Sequence, residues 1–252
     1  MIEIANVSKS YGKSLVVDGL SLTLPKGGIT SIIGPNGAGK STLLSMIARL
    51  VDPDGGRIAV GGLDVATTRG DLLARHLAVL RQDNHLSMRL TVRDLVTFGR
   101  YPYGKGRLGP EDVAQIGRAL AYLGLTELAD RFLDELSGGQ RQRAFVAMVI
   151  CQDTDYMLFD EPLNNLDIGN AVAMMKLLTR ATRELGKTAV VVLHDINFAS
   201  RYSDHIVAMR DGRLHSQGTP AEMIAPEVLR DLYGTTFEVR DIGGHRVAVY
   251  YG

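Results

Sequence analysis

The segment Gly34-Pro35-Asn36-Gly37-Ala38-Gly39-Lys40-Ser41-Thr42 limits what this chain can fold into more than any other feature of it. It matches the phosphate-loop pattern of a glycine, four residues, a second glycine, lysine and a hydroxyl residue, which belongs where a strand turns into a helix. The flanking text supplies both elements, since the apolar run GGITSIIG leads in and the helical pattern STLLSMIARL leads out. A glycine-rich surface turn is the alternative, and those flanks argue against it. Glycines here let backbone N–H groups close around phosphate oxygens, and the following helix adds about half a positive charge at its N-terminus. Lys40 is expected to bridge the outer phosphates. Ser41 is expected to offer its hydroxyl to Mg²⁺, an ion that then needs a carboxylate from elsewhere in the chain.

That carboxylate is available at Asp160, which closes the apolar run Tyr156-Met157-Leu158-Phe159 and so stands at the carboxyl end of a buried strand. Glu161 follows directly. Adjacent acids repel unless a cation or a bound water occupies each, so Glu161 is assigned as general base, a solvated loop acid being the plainer alternative. A second glycine-rich segment, LSGGQRQR from Leu136 to Arg143, opens another helix that Ser137 can cap. Gly138 and Gly139 weaken a purely structural helix start by up to about 1 kcal/mol each if they lie inside the helix. Close approach of a ligand to Ser137, Gly138, Gly139 and Gln140 explains them better, which implies a second anion site.

Strand-then-helix text recurs in DYMLFDEP before a helix from about Asn170, and in TAVVVLHD before FASRYSD. This alternation predicts an α/β fold with a mostly parallel sheet flanked by helices. From about Asp83 to Leu136 the strand signal lapses and LTVRDLVTFGR and PEDVAQIGRALAYLGL read as a helical insertion, with GKGRLGP as a loop. From about Gly218 to residue 252 the tail reads as one helix, PAEMIAPEVLRDLYG, and a hairpin turning at Gly243-Gly244. Residues 1–252 are read as a single domain.

Composition bounds the partners. Lys plus Arg and Asp plus Glu both total 28, so no net charge drives capture of nucleic acid or an anionic bilayer. No apolar run approaches the roughly 18 residues of a membrane helix, so any membrane role is borrowed from a partner. Cys151, among apolar neighbours, suits a buried small residue better than a reactive thiol and fits a reducing compartment.

With these motifs in order along essentially the whole chain, the sequence resembles the nucleotide-binding subunits of ABC transporters. The resemblance implies a P-loop NTPase of ABC type, with an N-terminal antiparallel β part beside the parallel core. It also implies ATP and Mg²⁺ as ligands and a head-to-tail dimer, homomeric or with a sister ATPase. In that dimer the LSGGQ element of one subunit completes the phosphate site of the other. Tyr11 looks like the aromatic that stacks on adenine, a core tyrosine being its plainer reading. Gln82 resembles the glutamine that senses Mg²⁺ and the attacking water, giving Ser41, Gln82 and Asp160 as metal ligands; a solvated loop glutamine is the other reading. His194 resembles the switch histidine that contacts the γ-phosphate, although a lone histidine is usually structural. Asp167 looks like the aspartate that crosses the dimer interface. The family often has Thr or Ser where this chain has Leu163 and Asn164.

Within the family, TVRDLVTFGRYPY, LNNLDI and HDINFASRYSDHIVAMRDGR look like ATPases of importers for iron chelates, haem and cobalamin. Ferric siderophore import is the first choice and haem or cobalamin import the alternative. The resemblance implies separate transmembrane permease subunits, an extracellular binding protein that delivers the cargo, and a peripheral place on the cytoplasmic face of the membrane. A cassette ATPase acting on ribosomes or DNA would share the nucleotide motifs, but such proteins usually carry two cassettes, a long coiled coil or zinc-binding cysteines. A kinase-like P-loop enzyme is disfavoured by LSGGQ and the ordered loops.

Overall fold

The computed structural model describes residues 1–82 and 88–251, and in it the apolar runs become neighbouring strands. β1 (Ile2–Tyr11) and β2 (Ser14–Leu24) form a long antiparallel ribbon, and β3 (Gly28–Ile33) leads through the glycine loop into α1 (Lys40–Ile47). β4 (Gly55–Val60) and the two-residue β5 (Leu63–Asp64) return to the ribbon, giving an antiparallel sheet of order β2-β1-β4-β5. One turn of helix, α2 (Gly70–Leu73), precedes β6 (Leu77–Leu80).

The chain then turns helical, with α3 (Val92–Thr97), α4 (Tyr101–Gly104), α5 (Pro110–Tyr122) and α6 (Gly138–Cys151). The start expected for this insertion, Asp83 and the residues to 87, lies outside the described residues. Alternation resumes with β7 (Tyr156–Asp160), α7 (Ile168–Glu184), β8 (Thr188–Val192), α8 (Ile196–Tyr202), β9 (His205–Arg210) and β10 (Arg213–Gly218). These strands form a second sheet of order β10-β9-β3-β8-β7-β6, parallel except where β10 folds back on β9.

Side chains that alternate along the strands divide the core in two. Met157 and Phe159 of β7 face a cluster with α3, α5, α6 and α7, while Leu158 faces α1 and the antiparallel sheet. Both faces of the parallel sheet are therefore covered, which is why its strands read as unbroken apolar runs. Cys151 ends α6 inside the first cluster, and burial pushes its thiol up to about 12.

Two expectations need correction. Helix α7 starts at Ile168 rather than Asn170, because the Asp167 carboxylate accepts a hydrogen bond from the Asn170 amide and caps it. The tail carries two helices rather than one, α9 (Pro220–Met223) and α10 (Pro226–Tyr233), ahead of the hairpin β11 (Glu238–Ile242) and β12 (His245–Val249). Pro226 forces the break, since a proline disfavours helical geometry in the residue before it; Ala225 is extended at φ −122° and ψ 142°.

Candidate functional site

Register sets the site. Ile32 of β3 and Asp160 of β7 both pair with Val192 of β8, so the loops that leave these strands emerge side by side at one sheet edge. β6 joins that edge through Leu80 opposite Phe159, which brings Gln82 alongside. The carboxyl ends of parallel strands are where such sheets bind ligands.

The glycines of the loop are there for space as well as for turning. Gly34 has φ 144°, and a Cβ on it would lie 2.0 Å from the Met209 carbonyl oxygen of β9. Gly39, at φ 90°, would place a Cβ 2.7 Å from the carbonyl oxygen of Val16 in the ribbon. A Cβ on Gly37 would meet nothing within 4 Å, so the loop is braced at its ends and open at its middle. Asn36 and Gly37 are exposed, Pro35 is half-buried, and Ala38, Gly39 and Lys40 are buried. Lys40 Nζ donates to the carbonyl oxygens of Gly34 and Pro35, both at 2.9 Å. Burial pulls this ammonium below its usual pKa, while Glu161 and Asp160 hold it up.

Ser41 donates its hydroxyl to Asp160 Oδ1 at 2.8 Å, and half-buried Thr42 follows it on α1. Asp160 is buried, which raises its carboxyl pKa; the Ser41 hydrogen bond acts against that rise and Glu161 reinforces it. Ser41, Asp160 and Gln82 line one small cleft of about 200 Å³. Their oxygens are the hard donors that Mg²⁺ takes, and Gln82 uses its amide nitrogen on Glu161, which leaves its carbonyl oxygen for the ion. The residues present therefore fit Mg²⁺ with a phosphate beside it.

Glu161 stands in the left-handed region at φ 51°, and its side chain is only 8% exposed. Three side chains converge on its carboxylate. Gln82 Nε2 donates to Oε2 at 2.6 Å, Asn164 Nδ2 donates to the same oxygen, and His194 Nε2 lies 2.5 Å from Oε1. Sequence reading missed Asn164 as a partner, although its place three residues beyond Glu161 puts it in the turn that the Asn164 amide closes on the Glu161 carbonyl at 3.2 Å.

Other expected residues are placed apart from this cluster. Ser137 caps α6 in a capping box, its N–H donating to Gln140 Oε1 at 3.0 Å and its Oγ accepting from the Gln140 amide at 3.3 Å. Both Ser137 and Gly138 are exposed, and a Cβ on Gly138 would meet nothing within 4 Å. Gly139 has a structural reason that the sequence hid, since a Cβ there would lie 2.4 Å from Asn170 Oδ1. Asp167 is exposed and holds Asn170 through its cap and through Asn170 Nδ2 at 2.8 Å. Tyr11 is 50% exposed at the end of β1, opposite Ser14 and close along the ribbon to the Val16 that braces Gly39.

Comparison with known proteins agrees with this geometry. Residues 17–164 match the family model described as ABC transporter. The petrobactin import ATP-binding protein YclP of Bacillus subtilis (strain 168) is 52% identical over 251 residues, covering 100% of both chains. The ferric enterobactin transport ATP-binding protein FepC of Escherichia coli (strain K12) is 42% identical over 226 residues, covering 89% of this chain and 83% of that one. Among solved structures, the dimeric ATP-binding cassette MJ0796, in a post-hydrolysis state bound to ADP and Pi, aligns at a TM-score of 0.77 and 29% identity. That match covers 87% of this chain and 99% of the other. A family model spanning more than half the chain, and a relative matched from end to end, place the protein in one family: it belongs to the ABC transporters, as an ATP-binding subunit.

Proposed function

We propose that this subunit hydrolyses ATP to power uptake of a ferric siderophore through separate membrane permease subunits, working as a head-to-tail dimer on the cytoplasmic face of the membrane. The observation that carries the cargo reading is the end-to-end likeness to the petrobactin import protein. No described helix is long and apolar enough to cross a membrane, which fits a subunit that grips a partner.

In this reading the phosphate-loop amides and Lys40 hold the β- and γ-phosphates, drawing the ammonium away from the Gly34 and Pro35 carbonyls. Mg²⁺ held by Ser41, Asp160 and Gln82 supplies neutralising charge on the phosphate oxygens when bound. Glu161 accepts the proton of the attacking water, oriented for that task by Gln82, Asn164 and His194. Tyr11 stacks on adenine. Ser137, Gly138, Gly139 and Gln140 of a second copy face the γ-phosphate from the other side, and Asp167 lies at the seam between the two chains.

The helical segment also divides by role. Arg100 and Tyr103 are fixed inside it: Arg100 Nε donates to Asp112 at 2.8 Å, its Nη1 donates to the Cys151 carbonyl at 3.0 Å, and the Tyr103 hydroxyl donates to the Gln152 carbonyl at 2.9 Å. Phe98 and Tyr101 are left 49% and 61% exposed, so these two rings are the ones offered to a permease. Cells lacking the subunit should fail to accumulate iron supplied as a chelate, and complementation with Phe98→Ala/Tyr101→Ala should restore hydrolysis but not uptake. Radiolabelled iron in several chelates, compared with labelled cobalamin and haem, tests the cargo; normal accumulation of every iron chelate in the deletion strain would overturn it.

A further inference from the structure

Away from the nucleotide end, a cleft of about 560 Å³ opens between α7, α8 and the C-terminal hairpin, more than twice the volume of the roughly 250 Å³ cleft beside Glu161 and His194. Lys176 and Arg183 of α7, Arg201 of α8 and Arg246 of β12 line it, against two acids, Asp204 and Asp241. Both acids are engaged by backbone: Asp204 Oδ2 accepts from the Ile29 amide at 2.8 Å and Asp241 Oδ1 from the Gly244 amide at 3.0 Å. Among the described residues, Lys176, Arg183 and Arg201 donate no side-chain hydrogen bond and join no ion pair. Arg246 uses one nitrogen on the Ile224 carbonyl at 3.1 Å and pairs with no acid.

What sets these cations apart is that they line one cavity together. Arg93, Arg118, Arg180 and Arg213 each face a carboxylate. In a chain whose 28 cationic and 28 anionic side chains balance, four cations converging without an acid partner are a local excess. Arg183 and Arg201 lie in the last turn of their helices, where a cation complements the carbonyl end. That accounts for neither Lys176 in mid-helix nor Arg246 on a strand. A volume of this size also lies within the range of small-molecule sites, about 300–1,000 Å³.

We propose that this cleft binds a small polyanion with negative groups at separated ends, of the phosphate-ester or polycarboxylate class. Lys176 and Arg183 are seven residues apart on one helix face, about 10 Å along the axis, so a ligand with two separated charges meets both where a single small anion does not. The opposite, N-terminal ends of the two helices lie at the nucleotide site, α8 starting two residues after His194 and α7 at its Asp167 cap. Occupancy is therefore placed where it can bear on that site.

Calorimetric titration of the full chain at low salt, with citrate and with fructose 1,6-bisphosphate as probes, tests this. Binding should survive Lys40→Ala, which disables the phosphate loop, and should survive the control pair Arg107→Gln/Arg131→Gln. It should weaken about tenfold in Lys176→Gln/Arg183→Gln, two lost charge contacts of modest strength each. Arg201→Gln, a change at an exposed side chain, should weaken it in the same direction and guards against a folding defect in the pair, which unliganded thermal melts also check. Binding of the bisphosphate alone identifies a phosphate ester, and of citrate alone a polycarboxylate. Loss of all binding in Lys40→Ala, equal affinity in both paired variants, or no heat from either probe at millimolar concentration would overturn the proposal.

Discussion

The two glycine-rich segments, 34–42 and 136–140, which the proposed function sets at opposite ends of the same chemistry, are built in opposite ways. The first is closed on its own chain: Lys40 is buried on two loop carbonyls, Ser41 is bonded to Asp160, and Gly34 and Gly39 press against backbone of β9 and β2. The second is turned outward. Among the described residues the side chains of Ser137 and Gln140 bond only to each other's backbone, Gly138 faces open space, and the close neighbour of Gly139 is Asn170 rather than a residue of the phosphate loop. One chain thus carries a phosphate cradle that is complete on one side, and a helix N-terminus suited to anions with no cradle of its own. In the proposed head-to-tail dimer the open side of each cradle would meet the exposed helix start of the other copy.

Substitutions can break this contrast. Lys40→Ala should have the largest effect, weakening ATP about a hundredfold or more, because an ammonium about 4 Å from a phosphate charge contributes on the order of 4 kcal/mol at an effective dielectric near 20, before desolvation. A nucleotide titration checks it, and unchanged affinity would remove the cradle from the account. Tyr11→Ala should weaken ATP about tenfold, since stacking on a base contributes about 1–3 kcal/mol. A triphosphate without a base should bind the variant and the parent equally, which separates loss of stacking from a distorted ribbon.

Gly138→Ala sharpens the comparison most finely. A Cβ there clashes with nothing, and alanine is the better helix former, so thermal stability should hold or rise by up to about 0.5 kcal/mol. Hydrolysis should nevertheless fall several-fold if that face must approach a partner's nucleotide. Equal loss of stability and activity would reduce this glycine to a packing detail. Gly139→Ala has no such clean split, because Asn170 would have to move.

The parts of the site legible in the sequence were the local ones. A strand, a glycine loop and a helix lie within one stretch of text, and Asp160 is marked by its apolar run, so both followed from spacing and period. What stayed hidden depends on contacts between distant segments. Gly139 looked like a mark of ligand approach until Asn170, on a separate helix, was seen to fill the space beside it. The Glu161 cluster draws on three loops and on a backbone in the left-handed region that no propensity assigns to glutamate. Nothing in the string TVRDLVTFGRYPY separated its anchored side chains from its exposed ones: Arg100 and Tyr103 are held inside the helical segment, while Phe98 and Tyr101 are exposed. The break between α9 and α10 was written in the text at Ala225-Pro226, and the rule that a proline ends helical geometry before it would have found it.

The most direct test is the size of the Glu161→Gln protein with and without ATP and Mg²⁺, measured by gel filtration with light scattering. The amide keeps the shape of the carboxylate but cannot take the water's proton, so turnover should fall by about 10²–10⁴ while ATP binding remains. With ATP the protein should elute at twice its monomer mass, and without ATP as the monomer. A variant that binds ATP yet stays monomeric, or that turns over at the parent's rate, would contradict a site completed by a second chain around Glu161.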